Sequence, residues 1–285
     1  MSIPVIKGNS GKTRRCTMRT GKSRVLTVMT MAVITVLLFT TGCIQVVVDG
    51  DGIVGSPNLV TREFDFSSFI DVEIGSAFEI DIIQSDTSDV TITLNENLFE
   101  YLDISQSGET LRILMETDYN YRQSTRHATI SMPRLRTLKL LGAVQAKVTG
   151  FSTDQTMDFV IIGASALELA DVEAGDTRFN ITGASRAVGS IKMADGDFEV
   201  SAASTIELEG TGTHMELTVL AASTALLENF LVKTAETHII AASYATIEVS
   251  DRLDIEVSSA SRLVYGGDAA LGSVQVTGAS TLSQK

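Results

Sequence analysis

Residues 179–223 read FNITGASRAVGSIKMADGDFEVSAASTIELEGTGTHMELTVLAAS. In this stretch a small residue, an alanine and a serine stand together at Gly183-Ala184-Ser185, Ala202-Ala203-Ser204 and Ala221-Ala222-Ser223. Working outward, the triplet recurs at Gly142-Ala143-Val144, Gly163-Ala164-Ser165, Ala241-Ala242-Ser243, Ser259-Ala260-Ser261 and Gly278-Ala279-Ser280. Successive first positions are 21, 20, 19, 19, 20, 18 and 19 residues apart. So even a period is the mark of a repeat architecture.

The flanks of the triplet define the local structure. Apolar residues alternate before it (Phe179 and Ile181, Phe198 and Val200, Leu253, Ile255 and Val257) and after it (Leu167 and Leu169, Ile206 and Leu208, Ile247 and Val249). Period two with β-branched residues predicts strands, and no helix-period stripe interrupts them. A hairpin meander of this period would need a chain-reversing pair such as Asn-Gly at each midpoint. The triplets supply none, whereas small residues suit a corner between consecutive strands. The expected fold is all-β: a single-stranded parallel β-helix, or solenoid, of about 19–20 residues per coil. Equivalent residues stack about 4.8 Å apart, so eight registers span roughly 34 Å. Strict alternation turns the first triplet position (Gly163, Gly183, Ala202, Ala221, Ala241, Ser259, Gly278) inward. It turns the alanine column (143, 164, 184, 203, 222, 242, 260, 279) outward. A narrow core leaves little room for aromatic rings, in keeping with the absence of Trp and an aromatic share of 6%.

Residues 58–141 have the same alternating character without the triplet, for instance Ile70, Val72, Ile74, Phe78, Ile80 and Ile82. Asn95–Leu102 predicts one helical turn, and Asp118–His127 is the most polar loop. A solenoid needs an atypical end over its first coil. Residues 58–135 are therefore expected to form irregular first coils and a cap, and 136–285 the regular coils, as one continuous domain.

The N-terminus has a different composition. Residues 1–42 carry Lys7, Lys12, Arg14, Arg15, Arg19, Lys22 and Arg24 and no Asp or Glu, within a chain of net charge −13. The apolar run Val25–Phe39 is short of the roughly 20 residues that span a bilayer. Basic, apolar and then small residues in that order predict a signal peptide over 1–42. Its end, Thr40-Thr41-Gly42-Cys43, resembles a bacterial lipobox, with Thr40 where Leu is commonest. Cys43 is then the lipid-attachment residue, and 43–57 a Gly/Asp-rich linker. The other reading is an uncleaved transmembrane helix with Cys43 at its outer end. Either way the acidic body lies outside the cytoplasm, in the bacterial cell envelope. Met18 is an alternative start, which would leave Cys16 outside the product.

Together these residues resemble a known family, the DUF2807 or head GIN domain, labelled an auto-transporter adhesin. The resemblance rests on Phe69–Ile80 (FIDVEIGSAFEI), Gly108–Ile113 (GETLRI), Met132–Leu135 (MPRL) and the triplet coils after them, over about 58–282. It implies a right-handed β-helix on a lipoprotein or secreted chain, and no catalytic residues.

The residues themselves offer no chemistry either. His127, His214 and His238 fall in different columns and predict no metal site. The serine column has no recurring His or Asp beside it, and a small hydrogen-bonding residue at a corner explains it. Glu168 and Glu207 share a column two coils apart with Val188 between them. A cluster of three or more charged residues on adjacent coils would mark a carbohydrate-active enzyme, and counting from the triplets finds none. No cofactor is expected. The acidic body excludes nucleic acid, whose phosphates need clustered Lys and Arg. The expected partners are the membrane, through the N-terminal lipid, and an extracellular protein or glycan. A homo-oligomer could cover the last coil near Leu282. The reading is a non-enzymatic, adhesin-like binding or structural module; the alternatives are a carbohydrate-active enzyme and an envelope-stress accessory protein.

Overall fold

The computed structural model describes residues 52–285. The signal peptide over 1–42, the lipid site at Cys43 and most of the 43–57 linker lie outside the described residues. No helix among the described residues is long and apolar enough to cross a membrane.

The chain winds as a parallel β-solenoid of about seven turns. The strands before the triplets stack in register: Met157–Ile162 on Thr177–Thr182, then Asp195–Val200, then 214–219 of the long strand Thr205–Val219. The strands after the triplets form a second wall, from Gln145–Thr149 through Ala166–Glu173 and Arg186–Lys192 to 205–211. A short third wall carries Val172, Ile191, Phe230 and Val232, all buried. Period-two alternation sends Ile, Val, Leu and Phe inward from all three walls into one continuous core. Each fully buried side chain of this kind contributes about 1.5–3 kcal/mol.

The core holds more aromatic rings than a narrow solenoid led us to expect. Phe69, Phe78, Phe151, Phe159, Phe179, Phe198 and Phe230 are its largest fully buried side chains. Phe159, Phe179 and Phe198 are strand neighbours, with ring centroids 4.8 Å and 4.9 Å apart. Room for Phe230 comes from Gly210, where a Cβ would lie 3.3 Å from the Phe230 ring.

At the triplet corner two consecutive residues take positive φ, for example Ala202 at 55° and Ala203 at 60°. The double turn breaks the alternation. The alanine column faces solvent, as parity predicts, but the first position does too: Gly163, Ala202, Ala221, Ala241, Ser259 and Gly278 are exposed and Gly183 is half-buried. Only the third residue points inward, where Ser165, Ser185, Ser204, Ser223, Ser243 and Ser261 are buried. Each of these hydroxyls accepts a hydrogen bond from the N–H of the corner residue one coil earlier in the chain. Ser185 N–H donates to Ser204 Oγ at 3.1 Å, Ser204 N–H to Ser223 Oγ at 3.2 Å, and Ser261 N–H to Ser280 Oγ at 3.1 Å. Ser185 and Ser243 also donate to the carbonyls of Thr182 and Ile240, both at 2.8 Å. The serine column is thus a ladder that satisfies buried polar groups.

The N-terminal end departs from a simple winding. Strand Asp71–Gly75 lies between Thr110–Met115 and Thr137–Leu141, and Glu79–Gln84 lies between Arg126–Met132 and Gln145–Thr149, all parallel. The coil at 71–84 therefore sits second in space although it comes first in sequence. Its corner, Ser76-Ala77-Phe78, is a further copy of the triplet turn, with φ of 59° and 55° at Ser76 and Ala77. It escapes the sequence pattern because Phe78 replaces the serine. Antiparallel strands close this end: Leu59–Phe64 on Asp89–Asn95 on Arg126–Met132, and Leu102–Ser107 on Thr110–Met115. The expected helical turn is a 3-10 helix, Glu96–Tyr101. Arg136 ties the cap to the coils through Asp71 (2.5 Å) and Glu109 (3.1 Å). Burial raises the Asp71 carboxyl, but hydrogen bonds from Arg136 and Thr137 and the Arg136 charge outweigh it, and the net shift is downward.

Candidate functional site

The second corner of the coil, between the second and third walls, is irregular. Gly189 and Gly210 turn it with φ of 121° and 136°. In the coil that starts at Gly163, Asp171 turns it instead, at φ 55°, and the register slips by one residue between Leu169 and Val172. A second slip lies opposite Glu207–Glu209, where the next coil carries an extra residue before Asn229. These bulges bend the wall and open a groove of about 800 Å³. It runs over five successive coils from Ser152 to Asn229, roughly 20 Å along the axis.

The groove gathers polar side chains that counting along the sequence keeps apart, and Asp171, Glu173, Lys192 and Glu209 form on three adjacent coils the charged cluster that the count from the triplets did not find. Ser190, Glu209 and Asn229 are register partners on three adjacent coils, and Glu173 and Lys192 are partners beside them. Asp171, Glu173, Lys192, Glu209 and Asn229 are exposed. Counted from their own triplets Ser190 and Glu209 keep one offset, but Asn229 stands one residue later than Glu209 and Glu173 one residue later than Lys192, because each bulge shifts the residues C-terminal to it. The trace in the sequence is the alternation of coil length, 20 residues from Gly163 and 19 from Gly183. Glu209 and Asn229 also line an adjoining depression of about 270 Å³, with Arg186, Glu207 and Glu228.

The electrostatics separate the groove from the wall beside it. On the wall, Lys147 meets Glu168 at 2.7 Å and Arg186 meets Glu207 at 2.6 Å. The Lys147 ammonium is raised above its ordinary value, first by its hydrogen bond to Glu168 and then by that carboxylate's charge. Glu168 and Glu207 do share a column across Val188, as the spacing indicated, but each faces its own cation. None of Asp171, Glu173, Lys192 and Glu209 forms an ion pair among the described residues.

The histidines are dispersed. His127 meets Asp81 at 3.2 Å, His214 meets Thr234 at 2.9 Å, and His238 lies between Glu256 (3.0 Å) and Glu236 (3.2 Å). Among the described residues no group of three or more His, Cys, Asp or Glu is placed to hold a metal ion.

With this geometry in view, comparisons with known proteins are informative. The profile of a family described as "DUF2807: Putative auto-transporter adhesin, head GIN domain" matches residues 68–269. Among solved structures, a "putative lipid binding protein" from Parabacteroides distasonis ATCC 8503 is 19% identical with a TM-score of 0.76, over 82% of this chain and 99% of that one. A "putative adhesin" from Parabacteroides merdae ATCC 43184 is 17% identical with a TM-score of 0.75, over 82% of this chain and 98% of that one. A "putative adhesin" from Bacteroides fragilis NCTC 9343 is 17% identical with a TM-score of 0.62, over 82% of this chain and 100% of that one. At these identities the likeness is one of fold. No curated protein matches the chain.

Proposed function

Because the chain belongs to the DUF2807 head GIN domain family, we propose that it is a non-enzymatic, adhesin-like binding module of the bacterial cell envelope, held at the membrane by lipid on Cys43. The observation that carries the binding half is the groove at the second corner. Its four charged side chains and Asn229 are exposed and unpaired, while charges on the neighbouring wall are neutralised in place. Three carboxylates, one lysine, an amide and two serine hydroxyls suit the hydroxyl groups of an extended neutral glycan. The same charged cluster favours a second reading, a carbohydrate-active enzyme, which cleavage of the bound glycan by the wild type would establish. An acyl chain is a poor match, because its sites are mostly apolar. The anchoring half rests on the order of basic, apolar and small residues before Cys43. The described chain enters at the capped end, where Ile53–Val54 pairs with Tyr121–Arg122.

The test is a glycan array probed with fragment 44–285, wild type beside the double variant Glu209→Gln, Asn229→Ala. Wild-type binding to a neutral glycan, lost in the variant at unchanged melting temperature, is the expected result. Equal binding by both proteins would move the ligand away from the groove, and binding to peptides alone would replace the ligand class. Cys43→Ser should move the full chain from the membrane to the soluble fraction. Retention at the membrane would point to an uncleaved helix instead.

A further inference from the structure

The two ends of the solenoid differ in a way that points to a partner. At the capped end the outermost strands carry charge: Arg62 and Glu63 in Leu59–Phe64, Asp103 in Leu102–Ser107. Charged residues of this kind blunt an edge against pairing with another chain. The last coil has no such protection. Residues 269–284 contain no Asp, Glu, Lys or Arg, although the chain has 57 such residues in 285. Its strands Ala270–Val276 and Thr281–Gln284 are paired on one side only, the first with residues 252–257 and the second with residues 262–265. The apolar columns run straight out of this end. Leu253, Ile255 and Val257 are 0–3% exposed, and their register partners Leu271, Val274 and Val276 are 40–44% exposed.

We propose that this coil is the interface of a two-fold homodimer, in which the last coils of two copies meet end to end. Charge selects the partner. Two strongly acidic bodies repel each other over most of their surfaces, and the last coil, with Asp268 and Lys285 only at its two ends, is the face where a second copy meets the least like charge. Symmetry selects the arrangement. The antiparallel cap and its charged strands block head-to-tail stacking, so the open end meets its own copy, and the contact closes at two. A coil perimeter of roughly 60 Å and a wall about 10 Å thick bury roughly 600 Å² per partner. That is the lower bound of a specific interface. Antiparallel pairing of the free strand edges across the two-fold axis would add a backbone ladder to the apolar contact. The inference does not depend on the groove or its ligand.

The test is analytical ultracentrifugation of fragment 44–285, which contains the whole described core. The wild type is expected at twice the monomer mass, with a melting temperature that rises with protein concentration. Val274→Glu and, separately, Leu271→Lys should each give a monomer whose melting temperature no longer depends on concentration. Both positions are solvent-exposed in the single chain, so folding, followed by circular dichroism, should survive either change. A wild type that stays monomeric at every concentration would overturn the proposal. So would a dimer that both variants leave intact, or a wild type that grows into filaments.

Discussion

At the triplet corner the chain turns through two residues, with φ between 55° and 61° at Ala202, Ala203, Ala221, Ala222, Ala241, Ala242, Ser259 and Ala260. At the second corner it turns through single glycines with φ of 121° and 136° at Gly189 and Gly210. Left-handed helical backbone costs an L-residue roughly 1–2 kcal/mol, so alanine bears it where the surroundings compensate. Compensation is visible around the triplet. Ala184 N–H donates to Ala202 O at 2.9 Å and Ala203 N–H to Ala221 O at 3.0 Å, and the serine ladder runs beneath. Where a single glycine makes the second corner, no such exchange is possible, although a bulged coil turns it with Asp171. A Cβ on Gly210 would lie 1.9 Å from the carbonyl oxygen of Ile191, and one on Gly189 2.0 Å from that of Leu169. The corner that repeats conspicuously in sequence is therefore the tolerant one, and the intolerant corner is marked only by scattered glycines.

Alanine placed at each corner should separate the two most strongly. Gly210→Ala should cost roughly 3–4 kcal/mol, since it combines a disfavoured φ with a backbone clash. Gly183→Ala serves as its partner measurement and should cost about 1–2 kcal/mol, because Ala202 and Ala221 already occupy the equivalent site and the added Cβ lies 3.2 Å from Gly163 N. Urea unfolding of both variants decides the matter. Equal losses would mean that the two corners are equally tolerant and that the steric account is wrong.

The same contrast explains what the sequence discloses and what it hides. A solenoid repeats its local geometry, so a small-Ala-Ser turn stamps its period on the chain, and the strands, the parallel stack and the outward alanine column can all be read from it. Four features were not legible. The inward placement of the first triplet position failed because two left-handed residues in succession cancel one step of the alternation. The corner at Ser76-Ala77-Phe78 was hidden because Phe78 fills, with an apolar ring, the inward site that serine takes in later coils. The groove was hidden because bulges at Asp171 and before Asn229 move its polar residues off the count from the triplet. The reversed order of the coils at 71–84 and 110–132 was out of reach for a related reason: strands in a parallel stack carry no label for their neighbours. The antiparallel strands that close the end all fall within 58–141, the stretch without a small-Ala-Ser triplet in its sequence.

A smaller effect sharpens the comparison within the triplet itself. Ser204 is buried and Ala203, one residue before it, is exposed. Ser204→Ala leaves the N–H of Ser185 without its acceptor inside the protein, which should cost about 1–3 kcal/mol. Thermal unfolding monitored by circular dichroism measures it. A neutral result would show that water or a shifted carbonyl replaces the hydroxyl and that the ladder adds no stability.

The smallest expected effect is at Ala203. Its Cβ points into solvent from the outer side of the turn, so even a tryptophan there displaces nothing from the core. Ala203→Trp should leave stability within about 0.5 kcal/mol of the wild type. The left-handed backbone is already borne by alanine, and the larger side chain adds little strain as long as it extends away from the coil above. A loss of about 1–3 kcal/mol, the usual cost of overpacking an interior site, would mean that the alanine column faces inward after all. The serine ladder would then have to sit on the outside, and its hydroxyls would be competing with water for the hydrogen bonds that close each turn.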